Sequence, residues 1–195
     1  MIEKKSSTKI DAGAKPAAKA AGSRVTRSTP IKVRTRDAST REVGIKILSR
    51  FHMGEMDLEM IIRRALRYEN RKIGDEEAVM ALLTELMRNA DNPQMKAKMM
   101  EAIAEFQSII GIDPRPVLAE MHKMELNIFK DLGFEKVTIT CKKDACPVCR
   151  RQDGANITIE EAQAIMPLPH PACIKLPHPK AKAFCRCHYL GEYIS

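Results

Sequence analysis

Cysteine and histidine are the residues of this chain with the spacing to do chemistry, and they crowd towards its C-terminus. Five of the six cysteines lie in the last fifty residues, as Cys146-Pro-Val-Cys149, His170-Pro-Ala-Cys173 and Cys185-Arg-Cys187-His188. A Cys-x-x-Cys turn points two sulfurs at one point in space, and His170-x-x-Cys173 can bring two more donors from the opposite side. Thiolate and imidazole donors of this kind suit a tetrahedral metal, above all zinc. Cys149 and His170 stand about as far apart as the ~15–20 residues that separate ligand pairs in zinc ribbons. The spacing therefore predicts a structural zinc ion drawn from Cys146, Cys149, His170, Cys173, Cys185 and Cys187.

Within that set Cys146 and Cys149 are the firmest pair. His170 follows, because Pro169 and Pro171 restrict the backbone on both sides of it. Cys173, Cys185 and Cys187 compete for the remaining place, His178 is a further imidazole, and one ion or two can be accommodated. Cys141 ends an apolar β-like run and reads as a packed thiol. His188, beside Tyr189, reads as a half-buried histidine.

Disulfide and redox readings fit less well. The N-terminus, Met1-Ile-Glu-Lys-Lys, has no apolar signal core, and in a reducing compartment clustered cysteines favour metal. A thioredoxin-like pair needs a preceding strand and a long following helix, whereas Arg150-Arg-Gln-Asp-Gly154 turns. Nothing in the chain reads as a catalytic or cofactor-binding set. It has no Gly-rich phosphate loop, Gly-x-Ser-x-Gly elbow or His-Glu-x-x-His helix, and it lacks the His-x-Glu of zinc deaminases. A surplus of ligands also argues against the open coordination position that catalysis requires. The expectation is a protein that is not an enzyme.

The elements that must carry these ligands divide the chain in three. Residues 1–40 are rich in Ala, Lys, Ser, Thr and Gly with almost no large apolar side chain, which predicts a disordered basic arm. Residues 41–133 read as a helical body. Apolar residues recur at helical spacing in Val43, Ile47, Leu48 and Phe51, and again in Leu58, Ile61, Ile62, Ala65 and Leu66. A helix starting near Asp75 places Val79, Leu82, Leu83 and Leu86 on one face. Asn92-Pro93 and Asp113-Pro114 open two more, which Gly111 and Gly133 stop. These carry Met95, Met99, Ile103, Phe106 and Ile110, then Val117, Leu118, Met121, Leu126 and Phe129. His52 and His122 lie within helical stretches and read as structural or surface residues.

Residues 134–195 read as a small α+β module, so the fold class is mainly α with a C-terminal zinc-binding appendage. Val137-Thr-Ile-Thr-Cys141 alternates as a strand. Asp153-Gly154 is a turn followed by a short extended piece. Thr158-Ile-Glu-Glu161 has the form of a capping box, which predicts a helix over 159–165. Five prolines between Pro167 and Pro179 forbid regular structure, so this stretch depends on a metal or on packing.

Charge is placed one-sidedly. Residues 1–50 carry 13 Lys and Arg against 4 acidic groups, a net of +9, while the rest of the chain nets −1. A basic arm on a near-neutral body is suited to nucleic acid phosphates or an acidic protein surface. The body lacks the basic face and aromatic platforms of a dedicated nucleic-acid binder. No run approaches the ~18 apolar residues of a membrane span.

The stretch from Gly133 to Tyr189 resembles the C-terminal module of phage head-morphogenesis proteins, the Mu F-like minor head proteins. The resemblance rests on Gly133 followed by Glu-Lys-Val-Thr-Ile-Thr, then on Asp144-Ala-Cys146-Pro-Val-Cys149-Arg-Arg-Gln-Asp153-Gly154. It continues in Pro169-His170-Pro171-Ala-Cys173 and Cys185-Arg-Cys187. The family's ending is similar to one continuous His-Pro-x-Cys-Arg-Cys run, whereas here Ile174 to Phe184 divide its parts. The resemblance implies a minor structural component of a phage or prophage head, acting near the portal in head morphogenesis or DNA packaging. Its partners would be other virion or portal proteins, with nucleic acid reached through residues 1–40, and its location the virion or host cytoplasm. A cellular zinc protein that binds nucleic acid non-specifically through its basic arm is the alternative.

Overall fold

Several helices begin where a side chain supplies a partner for their free N–H groups. In the computed structural model, which describes residues 39–173 and 184–192, α1 (Thr40–Leu48) opens on a capping box between Ser39 and Glu42. A single 3-10 turn, Ser49–Phe51, leads to α2 (Glu55–Tyr68), whose N-terminal amide at Gly54 donates to Asp57. Three acidic residues, Asp75, Glu76 and Glu77, open α3 (Asp75–Asn89) against the positive end of its dipole. The Asn92 side chain accepts from the amides of Gln94 and Met95 to start α4 (Pro93–Ile109), with proline at its first position. Helix α5 (Arg115–Asp131) ends at Gly133, whose φ of 83° lies in the left-handed region.

The C-terminal elements follow. Strand β1 (Lys136–Thr140) leads through a tight turn to a four-residue helix, α6 (Pro147–Arg150). Strand β2 (Asn156–Thr158) runs directly into α7 (Ile159–Ile165), which starts on the expected Thr158–Glu161 capping box. A third strand, β3 (His188–Glu192), completes an antiparallel sheet in the order β2-β1-β3. Its register pairs Val137 with Ile157 and Ile139 with Tyr189. The fold is mainly helical, with this small sheet near the C-terminus. The first 38 residues of the basic arm lie outside the described residues, as does His178.

Two hydrophobic cores organise the described chain. The first joins α1, α2 and α3 to one face of α4 through Ile47, Leu48, Leu58, Val79, Leu83, Ile103 and Phe106. The second gathers Leu118, Met121 and Leu126 of α5 with Val137, Ile139, Ile159, Phe184, Tyr189 and the cysteines. Helix α4 contributes Ala104 to this second core, with Ala97 and Met100 packed beside it. The residue pattern changes at Gly133, but the packing divides along α4, because α5 buries its apolar stripe against the sheet side. Leu66, counted in the apolar stripe of α2, is 50% exposed, since α2 packs mainly on α3 and presents only part of that stripe to it.

Among the described residues two polar side chains are buried, Glu105 and His122, and each has a charged partner. Arg50 makes a two-pronged bond to the buried carboxylate of Glu105, at 2.6 and 3.1 Å, tying the end of α1 to α4. Arg41 reaches Glu55, Glu59 and Asp75 at once, linking α1 to α2 and α3. His122 is fully buried in α5, bonded through Nδ1 to Glu125 at 2.7 Å, with its ring edge-on to Tyr189 at 5.5 Å. That is a structural role, as the sequence suggests.

Candidate metal centre

Three separate pieces of backbone bring the thiols together. The first is the loop between β1 and β2. Cys141 follows β1, its amide held by the Asp153 carboxylate at 2.8 Å. A turn closed by Ala145 N–H to Lys142 C=O delivers Cys146. Cys146 caps α6, and its sulfur accepts from the Cys149 amide at 3.5 Å, so the cap itself aims both sulfurs inward. Gly154, at φ 77°, returns the chain so that its amide donates to Ile139 C=O. The knuckle is thereby fastened to the end of the central strand.

The second piece is the His170–Cys173 turn, closed by Cys173 N–H to His170 C=O at 2.8 Å. The third is the segment entering β3. There Cys185 and Cys187 face inward, 6% and 2% exposed, while Arg186 between them pairs with Asp144.

The sulfurs converge into two triads that share Cys149. One holds Cys146, Cys149 and Cys173; the other holds Cys149, Cys185 and Cys187; within each, all sulfurs lie inside 4.8 Å of one another. Cys146 and Cys173 are 3.6 Å apart across 27 residues, and Cys149 and Cys185 are 3.9 Å apart across 36. All six cysteines are free thiols, with no disulfide among them. A cavity of about 10 Å³ sits at the junction, lined by these five cysteines with Lys142, Asp144, Ala145 and Arg186. That is about one small sphere of free volume. The clustered cysteines can hold a metal ion.

Their electrostatics follow from crowding. Cys185 is held well below the usual thiol range because Cys173 and Cys187 donate to it. Cys173 and Cys187 are pushed up for the converse reason, each donating to the Cys185 sulfur, with Cys187 buried and Cys173 half-buried. Burial and the neighbouring Cys185 charge push Cys149 up to about 12. Burial opposes ionisation at Cys146, yet the amide and thiol of Cys149 and the thiol of Cys173 leave it below its ordinary value. Cys185 and, less strongly, Cys146 thus carry charge more easily than the others, and a cation would remove the penalty on the rest.

Five of the six sequence-predicted ligands are brought together: Cys146, Cys149, Cys173, Cys185 and Cys187. His170 is in neither triad. Its Nδ1 accepts from the Ala172 amide at 3.0 Å and its carbonyl from the Cys173 amide, so this residue builds the turn that presents Cys173. Imidazole and thiol in the sequence His-Pro-Ala-Cys look like two donors, and the proline-constrained turn uses one of them on its own backbone. His188 is half-buried at the start of β3, as expected. Beside the cluster an open groove of about 520 Å³ runs between α4, α5 and the segment Cys185–His188.

Among the described residues no helix is long and apolar enough to cross a membrane. No family model matches the chain, and neither a curated protein nor a solved structure matches it.

Proposed function

We propose that this chain is a non-enzymatic minor head or assembly protein of a phage or prophage, with a C-terminal module stabilised by a structural zinc ion. The observation that carries the zinc reading is the convergence of buried thiols from three backbone segments without a disulfide. Zinc–sulfur bonds of about 2.3 Å place the sulfurs of a tetrahedron about 3.8 Å apart. The Cys146–Cys173 and Cys149–Cys185 separations of 3.6 and 3.9 Å bracket that length. Cys146, Cys149, Cys173 and Cys185 then form the coordinating set, with Cys187 beside them.

An all-thiolate donor set of this kind suits a closed structural site rather than one that activates water. The non-enzymatic reading follows from that chemistry. The phage reading is supported by the resemblance over residues 133–189, whose Cys-Pro-x-Cys, Asp-Gly and Cys-x-Cys parts each meet at this cluster or fasten it. The net +9 of residues 1–50 favours a second reading, a cellular zinc protein whose basic arm binds nucleic acid without sequence preference.

Co-purification separates the two. A minor head protein sediments with phage heads or procapsids, and its deletion leaves heads unfinished or unfilled. Absence from particles, together with nucleic-acid binding that disappears on removal of residues 1–40, supports the second reading instead. Elemental analysis of the purified chain tests the zinc itself.

A further inference from the structure

We propose that the sulfur cluster is a binuclear centre, in which two tetrahedral zinc-type divalent ions are held by all six cysteines and Cys149 and Cys185 bridge them. This inference rests on the metal reading above and deepens it.

The first argument is the shared vertex. Two sulfur triads meet at Cys149, and a single ion cannot sit at the centre of both. A thiolate common to two triads is placed as a bridging ligand is placed. The second argument identifies the other bridge. Cys185 faces Cys149 at 3.9 Å and interacts with Cys173 on one side and Cys187 on the other. It belongs to the Cys187 triad and meets the other triad at Cys149, which makes it the sulfur placed to swing between the two ions. The first ion takes Cys146, Cys149, Cys173 and Cys185. The second takes Cys149, Cys185 and Cys187, which leaves one position.

Cys141 is the remaining donor. Its thiol lies beside the cluster but in neither triad and donates to the Cys149 carbonyl at 3.2 Å, so to ligate it must give up that proton and turn towards Cys187. The Asp153 carboxylate fixes its backbone through the amide. The residue read from sequence as a packed thiol becomes the fourth ligand of the second ion.

Charge and protons balance. Two divalent ions on six thiolates leave a centre of net charge −2, the same as one ion on four thiolates, the protons of the neutral thiols being released to solvent. The difference is that no buried neutral thiol is left crowded against a thiolate. Lys142 and Arg186 line the cavity and oppose that charge, with Asp144 paired to Arg186.

The test is a cobalt(II) titration of the full chain after metal removal, read by elemental analysis and electron paramagnetic resonance. Two equivalents should bind. The high-spin signal should grow through the first equivalent and collapse through the second, because bridging thiolates couple the two ions magnetically. Cys141→Ser and Cys187→Ser should each bind one cobalt and keep its signal. Should Cys187→Ser fail to fold, Cys141→Ser at the half-buried edge of the cluster carries the test alone. Binding of a single equivalent by the unaltered chain overturns the binuclear centre and leaves the one-zinc reading standing. Two equivalents with additive signals, or two retained in Cys141→Ser, overturn it as well. No binding at all overturns both readings.

Discussion

The two cores of this chain solve the same problem with different materials. The core of α1, α2, α3 and α4 is made of interlocking aliphatic side chains around Phe106, and its strength is the removal of apolar surface from water. In the core of α5 and the small sheet, four buried cysteines occupy positions that a larger domain would fill with leucine. Three-residue and five-residue strands and a four-residue helix bury little surface of their own. The clustered cysteines of that region could hold a metal ion, and under the proposed reading ligand bonds would supply there what regular structure supplies in the first core. The comparison teaches where fragility lies: distributed over many contacts in one half, concentrated on a few sulfurs in the other.

The largest expected effect follows directly. Cys149→Ser, or a strong chelator, should unfold residues 141–173 and 184–192 while α1 to α4 remain folded. Structural zinc contributes on the order of 10 kcal/mol in small modules, far more than this region can lose and stay ordered. Limited proteolysis should show the new cuts confined to the C-terminal region, with helical circular dichroism largely retained. Acid should act in the same direction, since protons compete with the metal for thiolates. A single cooperative loss of both halves would show that the cores depend on one another.

Phe106→Ala is the opposite probe. Phe106 is fully buried in the first core, and truncating such a side chain costs about 3–5 kcal/mol. Thermal unfolding should shift strongly for the helical part, while the metal content of the folded protein stays unchanged.

The two regions also differ in how much of them was legible in sequence. Helix starts at Asn92-Pro93 and Thr158–Glu161 were readable, because capping is local chemistry between residues two or three apart. The stops at Gly111 and Gly133 were readable for the same reason, both glycines taking positive φ. Strand β3 was not: His188-Tyr-Leu-Gly-Glu192 has little apolar alternation, and its strand character comes from pairing with β1 about fifty residues away. The thiols as a group were legible, but the pairing of Cys146 with Cys173 and of Cys149 with Cys185 was not, since sequence spacing carries no information about which sulfur faces which. His170 shows the limit most clearly. Its type promised a ligand, and only the closed turn reveals that its ring accepts from the Ala172 amide.

A smaller effect tests the tightness of the aliphatic core. Gly44 lies buried in α1 against α3, and a Cβ placed there would sit 2.5 Å from Val79 Cγ2. Gly44→Ala gains helix propensity of about 1 kcal/mol. It also forces Val79 or α1 to move, and such overpacking typically costs about 1–3 kcal/mol. A net destabilisation is expected, readable as a lower midpoint in urea, and Val79→Ala in the same chain should relieve it. If Gly44→Ala raises the midpoint, the contact between α1 and α3 is looser than the structure shows.

The finest comparison uses one kind of interaction in both regions. Asn92 caps α4 and Thr158 caps α7, each accepting from backbone amides. Replacing such a cap by alanine costs about 1 kcal/mol. Asn92→Ala should therefore lower stability by that amount with or without metal, because α4 belongs to the core that aliphatic packing holds. Thr158→Ala should cost a similar amount only while the metal is bound. Thr158 lies at the end of β2, and the order of that strand depends on the loop closed by Cys146 and Cys149. With the metal removed the cap has no helix to complete, and its substitution should leave urea unfolding unchanged. Hydrogen exchange at α7 makes the same distinction locally: protection there should vanish on metal removal, while protection at α4 persists. Equal sensitivity of both caps in metal-free protein would mean that α7 is held by its packing on α5, and the boundary between the two kinds of stability would then lie inside the second core.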